Sequence, residues 1–517
     1  MTAFAEQLER LAYPAAPSRP AFVDHHGRVL LSHGELGAQV RRRTGSVRAS
    51  GLEPGERLAF GVRQGPAGLA WLVGALRAGV GVVALEPGLA PAALVAQSRA
   101  AGVRGVLLDR IVAALATTAL GRGLGTRLGV RLPDPRDLGA ALFVTGRTVA
   151  PGSRRLDTLS GPVAAVALDA EATALVVFTS GTSGAPRGIV HSPRSLGATI
   201  AAVTELTGIR PGDRVAASGL HLVVPTLVAG ATVVVPPRGP RALARATARL
   251  DVSHLSLAPH AAVEWAERGG AGPLLRRLFL GTAPVRNVAL ARILSALPAA
   301  AEVWSVYGMT EQLLVAAVSG RERLAHDEHD GDLVGSPLPG VRVRVAADGE
   351  LWIGGPLLAR GLIGDDAAAA PELPTGDVAR LLGDGRIILA GRRKEMLIRH
   401  GQNIYPALYE GPLADLAGLE AAAIVGVPDE AGDERVVLVV VPPPGEVTAV
   451  VLRRVRALVD GDRSPLDRHA APDAILAMSE LPRSGRSAKL DRRGLAVLVA
   501  GRLGWPEPDD AALPEAG

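Results

Sequence analysis

The 517-residue sequence contains no cysteine. That excludes disulfides, a thiolate nucleophile and any cysteine-ligated metal centre, and it is compatible with a reducing compartment. Lysine is almost missing too: Lys and Arg together number 56, and all but Lys394 and Lys489 are arginine. Aromatic residues make up 3 %, too few for the aromatic-studded basic stripe of a nucleic-acid binder. The formal charge of +5 and a pI near 10.1 therefore do not imply a nucleic-acid partner. The arginines are spread among 51 acidic residues and read as a solvated surface plus a phosphate site. No long apolar run is uninterrupted. "LAWLVGALRAGVGVVAL" is broken by Arg77 and by glycines, so it predicts a helix leading into a buried strand, with no stable membrane insertion. "MTAFAEQLERLAYPAAP" lacks a basic start followed by an apolar stretch, so no signal peptide and a cytoplasmic location are expected.

What is present is a large apolar complement, 48 % of residues with a mean hydropathy of +0.24. At this length it predicts about three domains or subdomains. From about 21 to 310, short β-branched runs alternate with Ala/Leu-rich helical stretches. The runs are "RLAFGV" (57–62), "GVVALEP" (81–87), "ALVVFTSGT" (174–182), "ATVVVPP" (231–237), "HLSLAP" (254–259) and "RRLFLGTAP" (276–284). That alternation predicts an α/β fold with layers around mainly parallel sheets. Beyond 330, "VRVRVAADGELWIGG" and "DVARLLGDGRIILAGR" each place Asp-Gly between alternating strands, a hairpin signal. They predict a small β subdomain at about 335–392. Two apolar strands, an amphipathic helix and a further strand then predict an α+β C-terminal domain from 395 onward.

The stretch "VVFTSGTSGAPRGIVHS" (176–192) is the most distinctive. A β run ends in Thr179, Ser180, Gly181, Thr182, Ser183 and Gly184, and Arg187 follows. Small hydroxyl residues and glycines let backbone N–H groups and hydroxyls surround an anion, and a guanidinium adds a fixed positive charge. Taken by itself such a run is an ordinary Gly/Ser turn, and it does not fit the GxxxxGK[ST] pattern of P-loop NTPases.

Four further motifs follow in order: "VWSVYGMTEQ" (303–312), "LPTGDVAR" (373–380), "GRRKEMLIRHGQNIYP" (391–406) and "LPRSGRSAKLDRR" (481–493). With these five, nearly the whole chain resembles the adenylate-forming superfamily of acyl-CoA synthetases, aryl acid ligases, peptide-synthetase adenylation domains and luciferases. The resemblance implies an AMP-binding part at 1–392, a hinge at 393–394 and a mobile C-terminal domain at 395–517. It implies ATP and Mg²⁺ as reactants. Thr179 to Gly184 and Arg187 would hold phosphates, with Thr310 at the α-phosphate and Glu311 as Mg²⁺ ligand. Tyr307, beside a loop glycine at Gly308, would offer its face to adenine. Gly281, Thr282 and Ala283 would line the adenine and acyl pockets. Asp377 and Arg392 would reach the nucleotide, Lys394 would be the hinge residue, and Gly401 would border a pantetheine tunnel.

For Lys489 the resemblance implies a catalytic role, bringing carboxylate and nucleotide together during adenylation. A compact ammonium between two anions gains on the order of 4 kcal/mol per contact at an effective dielectric of 20. In a chain whose cations are arginine at all but two positions, Lys489 also stands out on composition alone. Departures from the superfamily pattern are Arg187 for lysine, Ala488 for glycine, Leu362 where an aromatic is common, and Leu408 for a glutamate, although Glu410 is kept. The region around His221 is short, and no aspartate occurs between Val215 and Pro240 to bind an α-ammonium. A small carboxylic acid without a positive charge is therefore expected, with CoA as the acceptor of the acyl group. The other acceptors left open are a separate acyl carrier protein and an intramolecular hydroxyl closing a β-lactone. Arg187, Ala488 and the short pocket wall leave open a protein of another kind, a catalytically weak nucleotide-binding scaffold.

Overall fold

The computed structural model describes residues 2–505 apart from 85–90, 128–132, 147–149, 151, 180–186, 282–284, 286, 327–331, 365–369, 393–396, 401, 405, 407–408, 411–412, 415–416, 430–432, 462–463 and 485–488. The predicted α/β layering is present as two large sheets. The first has thirteen strands. At its centre Arg214–Ala216, Thr232–Val234, His254–Leu257, Arg277–Leu280 and Glu302–Met309 all run parallel. The second has eight, with Arg57–Gly61, Gly81–Ala84, Gly105–Asp109, Ala141–Thr145 and Leu175–Thr179 parallel. Parallel strands are covered by helices on both faces, and this is why their sequences are nearly continuous in Val, Leu and Ala.

Helices Ala3–Ala12, His33–Arg48, Pro66–Arg77 and Pro193–Thr207 share one core with these strands, centred on Trp71, Leu36 and Leu58. Arg77, the charge that interrupts the longest apolar stretch, is 1 % exposed. Its guanidinium donates to Glu9 at 2.9 Å, Thr44 Oγ1 at 2.9 Å and the Val163 carbonyl at 3.2 Å, so the buried charge is paired. No helix among the described residues is long and apolar enough to cross a membrane.

Both Asp-Gly hairpins form, Arg342–Val345 with Glu350–Gly354 and Glu372–Leu381 with Ile387–Arg392. Their sheet is not separate, however. Asp332–Pro337 pairs with Ile387–Arg392 on one side and with Gln312–Ser319 on the other, so the small β subdomain extends the large sheet. The join runs over Gly335, at φ +90°, where a Cβ would strike the Ala317 carbonyl. Local alternation in sequence reveals hairpins but not which outer strand they dock on. Gly361–Leu362 leaves the subdomain entirely and pairs with Arg187–His191 in the eight-stranded sheet.

The C-terminal α+β domain has Ala421–Pro428 antiparallel to Glu434–Val441, with Ala474–Ala477 parallel to the latter. Alternate residues of Glu434–Val441 face opposite sides, as strand geometry requires. Val436, Leu438 and Val440 pack with Val451 and Val455 of helix Thr448–Asp460. Val437 and Val439 pack with Leu495 and Val499 of helix Arg492–Leu503.

Candidate active site

Thr179 closes one strand of the eight-stranded sheet and Arg187 opens the next, and the two are register partners in an antiparallel pair. Ser180, Gly181, Thr182, Ser183 and Gly184 lie between them, outside the described residues. The returning strand Arg187–His191 is held on its other edge by residues 360–363. The Arg360 N–H donates to the Val190 carbonyl at 2.8 Å and the Ile363 N–H to the Gly188 carbonyl at 2.7 Å. It ends at His191, 1 % exposed, which leads into Ser192, the N-cap of helix Pro193–Thr207.

His191 links the two large sheets. Its Nε2 lies 2.9 Å from the Thr310 carbonyl. Thr310 and Glu311 form the tight turn between Glu302–Met309 and Gln312–Ser319. The Glu311 carbonyl accepts the Ala359 N–H at 2.8 Å. Two backbone acceptors therefore fix this turn against the elements that flank residues 180–186. Burial pushes the His191 imidazole down to about 4, so it is neutral at pH 7, and its Nε2 donates to Thr310.

Gly308 is not in a loop, as its place in the motif had suggested. It lies within the strand Glu302–Met309, beside a register irregularity between Tyr307 and Met309. A Cβ there would strike the Leu313 carbonyl, so glycine is required for the strand to close on its neighbour. Tyr307 is half-buried and donates its hydroxyl to Asp377 Oδ2 at 2.5 Å. Asp377 is 3 % exposed, and its N–H donates to Thr375 Oγ1 at 3.1 Å. Gly376 before it, at φ +75°, donates to Glu350 Oε1 at 3.0 Å. Asp377 is also the register partner of Arg392. Gly281 follows the adjacent strand Arg277–Leu280, and a Cβ on it would lie 3.6 Å from the Val306 carbonyl. Gly281, Tyr307, Thr310, Glu311 and Asp377 are thus gathered around one strand end. Thr282, Ala283, Lys394, Leu408, Gly401 and Ala488 lie outside the described residues. His221 is exposed in the first turn of helix Leu220–Val228.

Lys489 opens a short strand, paired with Ser484 across residues 485–488. The base of that loop is anchored by Arg492, which binds Glu410 through two parallel contacts of 2.6 and 2.9 Å. The same guanidinium donates to the Ile424 carbonyl at 2.9 Å, and Glu410 accepts the Ile424 N–H at 2.7 Å. The retained glutamate is thus a clamp for the lysine loop. Neither this clamp nor His191 was visible in the sequence. The partners lie 82 and 119 positions apart, and the only hints were a glutamate kept from the motif and a histidine at a strand end.

The described residues contain no group of three or more acidic, His or Cys side chains able to cage a metal. Mg²⁺ bound to nucleotide keeps waters and phosphate oxygens and needs only one or two carboxylates. The single Glu311 carboxylate on a fixed turn fits that demand.

The two sheets, the fixed turn and the nearly buried carboxylate are consistent with the adenylate-forming, acid-activating class that the family models identify. The chain belongs to the AMP-binding enzyme family, whose model matches residues 10–363, while the AMP-binding enzyme C-terminal domain matches 410–489. It is 32 % identical to isonitrile lipopeptide synthase of Streptomyces coeruleorubidus over 92 % of this chain. That alignment covers 32 % of the relative, so the chain spans about a third of its length. It is 28 % identical to feruloyl-CoA synthase of an Amycolatopsis species, over 89 % of this chain and 92 % of the relative. Among solved structures it superposes on amide bond synthetase McbA from Marinactinospora thermotolerans with a TM-score of 0.79. The identity there is 25 %, over 96 % of this chain and 99 % of the other.

Proposed function

We propose that the protein converts a carboxylic acid without an α-ammonium group into an acyl-adenylate, then passes the acyl group to the thiol of CoA. One observation carries the reading. The Thr310–Glu311 turn is held by Ala359 and by His191, the far end of the strand that Arg187 opens next to residues 180–186, with Tyr307 and Asp377 joined next to it. In the first step a carboxylate oxygen bonds to the α-phosphorus of ATP and pyrophosphate leaves. Residues 179–184 and Arg187 bind phosphate oxygens, and Thr310 orients the α-phosphate. Asp377 accepts ribose hydroxyls, Tyr307 flanks the base with Gly281 to Ala283, and Arg392 reaches the nucleotide. Glu311 would hold Mg²⁺, which supplies charge neutralisation on the phosphates. Lys489 sits between the two anions. Positioning and electrostatics do the work, without a covalent enzyme intermediate.

Residues 1–392 then form the AMP-binding part and 395–517 a C-terminal domain that turns about 393–394, with Lys394 as hinge. The hairpin carrying Gly401 comes to line the thiol path. The likeness to an amide bond synthetase favours a second acceptor, an amine.

The test is pyrophosphate release with ferulate, 3-hydroxybenzoate, indoleacetate and straight-chain acids, each with and without CoA or a primary amine. Acid-dependent release with a thioester product is expected. ATP binding without turnover on any acid would replace this reading with a nucleotide-binding scaffold. Lys489→Arg should lower pyrophosphate release at least 100-fold while a preformed adenylate is still consumed, because a broad guanidinium cannot occupy the point of a compact ammonium. Equal loss in both steps would refute that role.

A further inference from the structure

The hairpin formed by Leu397–Arg399 and Gln402–Ile404 carries a polar group that adenylation leaves unused. Its turn starts at His400, at φ +51°, one of two non-glycine residues in the left-handed region among the described residues. That conformation is costly for a residue with a Cβ, and Asp433 holds it in place. The His400 N–H donates to both Asp433 carboxylate oxygens, at 2.9 and 2.8 Å. The imidazole Nδ1 lies 2.6 Å from Asp433 Oδ2. The Asp433 side chain is 8 % exposed and the imidazole 66 %.

Asp433 is itself fixed. Its N–H donates to Asp429 Oδ1 at 2.9 Å, and its carbonyl accepts the Asp429 N–H at 2.8 Å. Among the described charged groups beside this turn, Glu434 accepts the Ile398 N–H, and Arg399 pairs with Asp473 at 2.5 Å. A turn that needed only left-handed backbone would be met by glycine. Here a nearly buried carboxylate takes the Nδ1–H of an exposed imidazole. That fixes the tautomer and leaves Nε2 as the basic nitrogen.

We propose that His400 is the proton acceptor of the acyl-transfer step and Asp433 its positioning residue. This rests on the reading above, in which this hairpin lines the path of the incoming thiol. The thiol sulfur attacks the carbonyl carbon of the acyl-adenylate and a C–S bond forms. The S–H proton passes to His400 Nε2. The bond between carbonyl carbon and phosphate oxygen breaks, and AMP leaves with that electron pair.

The test is single-turnover transfer to CoA from the isolated adenylate of whichever panel acid gives the fastest pyrophosphate release. His400→Gly keeps the turn, since glycine adopts φ +51° freely. It should slow transfer at pH 7 about 100-fold, the usual share of a general base, with a far smaller change in pyrophosphate release. The pH dependence of transfer should change in the variant, and the lost rate should be partly restored by added imidazole. Asp433→Asn, which still accepts from the His400 N–H, should slow transfer less. Unchanged transfer rate and pH profile in His400→Gly, with a wild type that makes thioester, would reduce His400 to a turn residue. A wild type that releases pyrophosphate yet acylates neither CoA nor an amine would overturn this proposal together with the acceptor reading.

Discussion

The hydrogen bond from Tyr307 to Asp377 joins the end of Glu302–Met309 to the Asp-Gly hairpin region, and its strength can be measured. At 2.5 Å, with the acceptor carboxylate 3 % exposed, it is a charge-assisted bond shielded from water. Such bonds contribute about 1.5–3 kcal/mol, against about 1 kcal/mol for neutral pairs. Asn at 377 would still accept from the tyrosine. A double-mutant cycle of Tyr307→Phe and Asp377→Asn therefore reports the charge-assisted excess, about 0.5–2 kcal/mol. Urea unfolding followed by tryptophan fluorescence suits the measurement. Trp304 lies on the Tyr307 strand, and Trp352 is the register partner of Pro374, three residues before Asp377. The same variants give a functional readout. If Asp377 also accepts ribose hydroxyls, Asp377→Asn should raise KM for ATP about tenfold, the equivalent of about 1.4 kcal/mol. Tyr307→Phe, which keeps the carboxylate, should raise it less. Additivity of the two variants within about 0.5 kcal/mol, with an unchanged KM for ATP in Asp377→Asn, would show that this bond carries neither stability nor nucleotide binding.

Three further outcomes are expected. Burial, reinforced by Asp433, pushes the Glu434 carboxyl up to about 7, so its contribution to stability is complete below the unfolded value near 4.5 and is lost as pH rises through 7. Glu434→Gln, which still accepts from Ile398, should be more stable than wild type by about 1–3 kcal/mol at pH 8 and no better at pH 4.5; a pH-independent difference in urea midpoint would contradict this. Burial holds His191 and His254 down at about 4, so stability present above pH 6.5 is lost as pH falls from 6.5 towards 4, by roughly 3 kcal/mol each at the limit. His191→Gln should shed its share of that slope in urea midpoints measured against pH, and an unaltered slope would locate the acid sensitivity elsewhere. Lys394→Pro fixes φ at the proposed hinge; it should spare pyrophosphate release and abolish thioester formation, whereas normal thioester yield would argue against a hinge there.

Features set by neighbours in sequence were the legible ones. Val/Leu runs between glycines marked the strands at 57–61, 81–84, 254–257 and 277–280, because parallel strands are buried on both faces. Asp348-Gly349 and Asp384-Gly385 marked two hairpins, because two-residue turns demand left-handed backbone. The strand ending at Thr179, the turn after Met309 and the short strand at Lys489 lie where short sequence motifs drew attention. What joins them was not legible. His191 meets Thr310 across 119 positions, Tyr307 meets Asp377 across 70, and Glu410 meets Arg492 across 82. The fusion of the β subdomain with the large sheet depends on Gly335 passing over the Ala317 carbonyl, a steric fact that no periodicity encodes. Gly308, taken for a loop residue, turned out to be a strand glycine for the same kind of reason.

Attack of the acid's carboxylate on the α-phosphorus of ATP, the step proposed here, can be followed by oxygen tracing. With an ¹⁸O-labelled carboxylate and full conversion to thioester or amide, one ¹⁸O atom should appear in the phosphate of AMP. It reaches phosphorus in the first step and stays there when the acyl carbon–oxygen bond breaks. Unlabelled AMP, or label recovered in inorganic phosphate alongside ADP, would contradict the account.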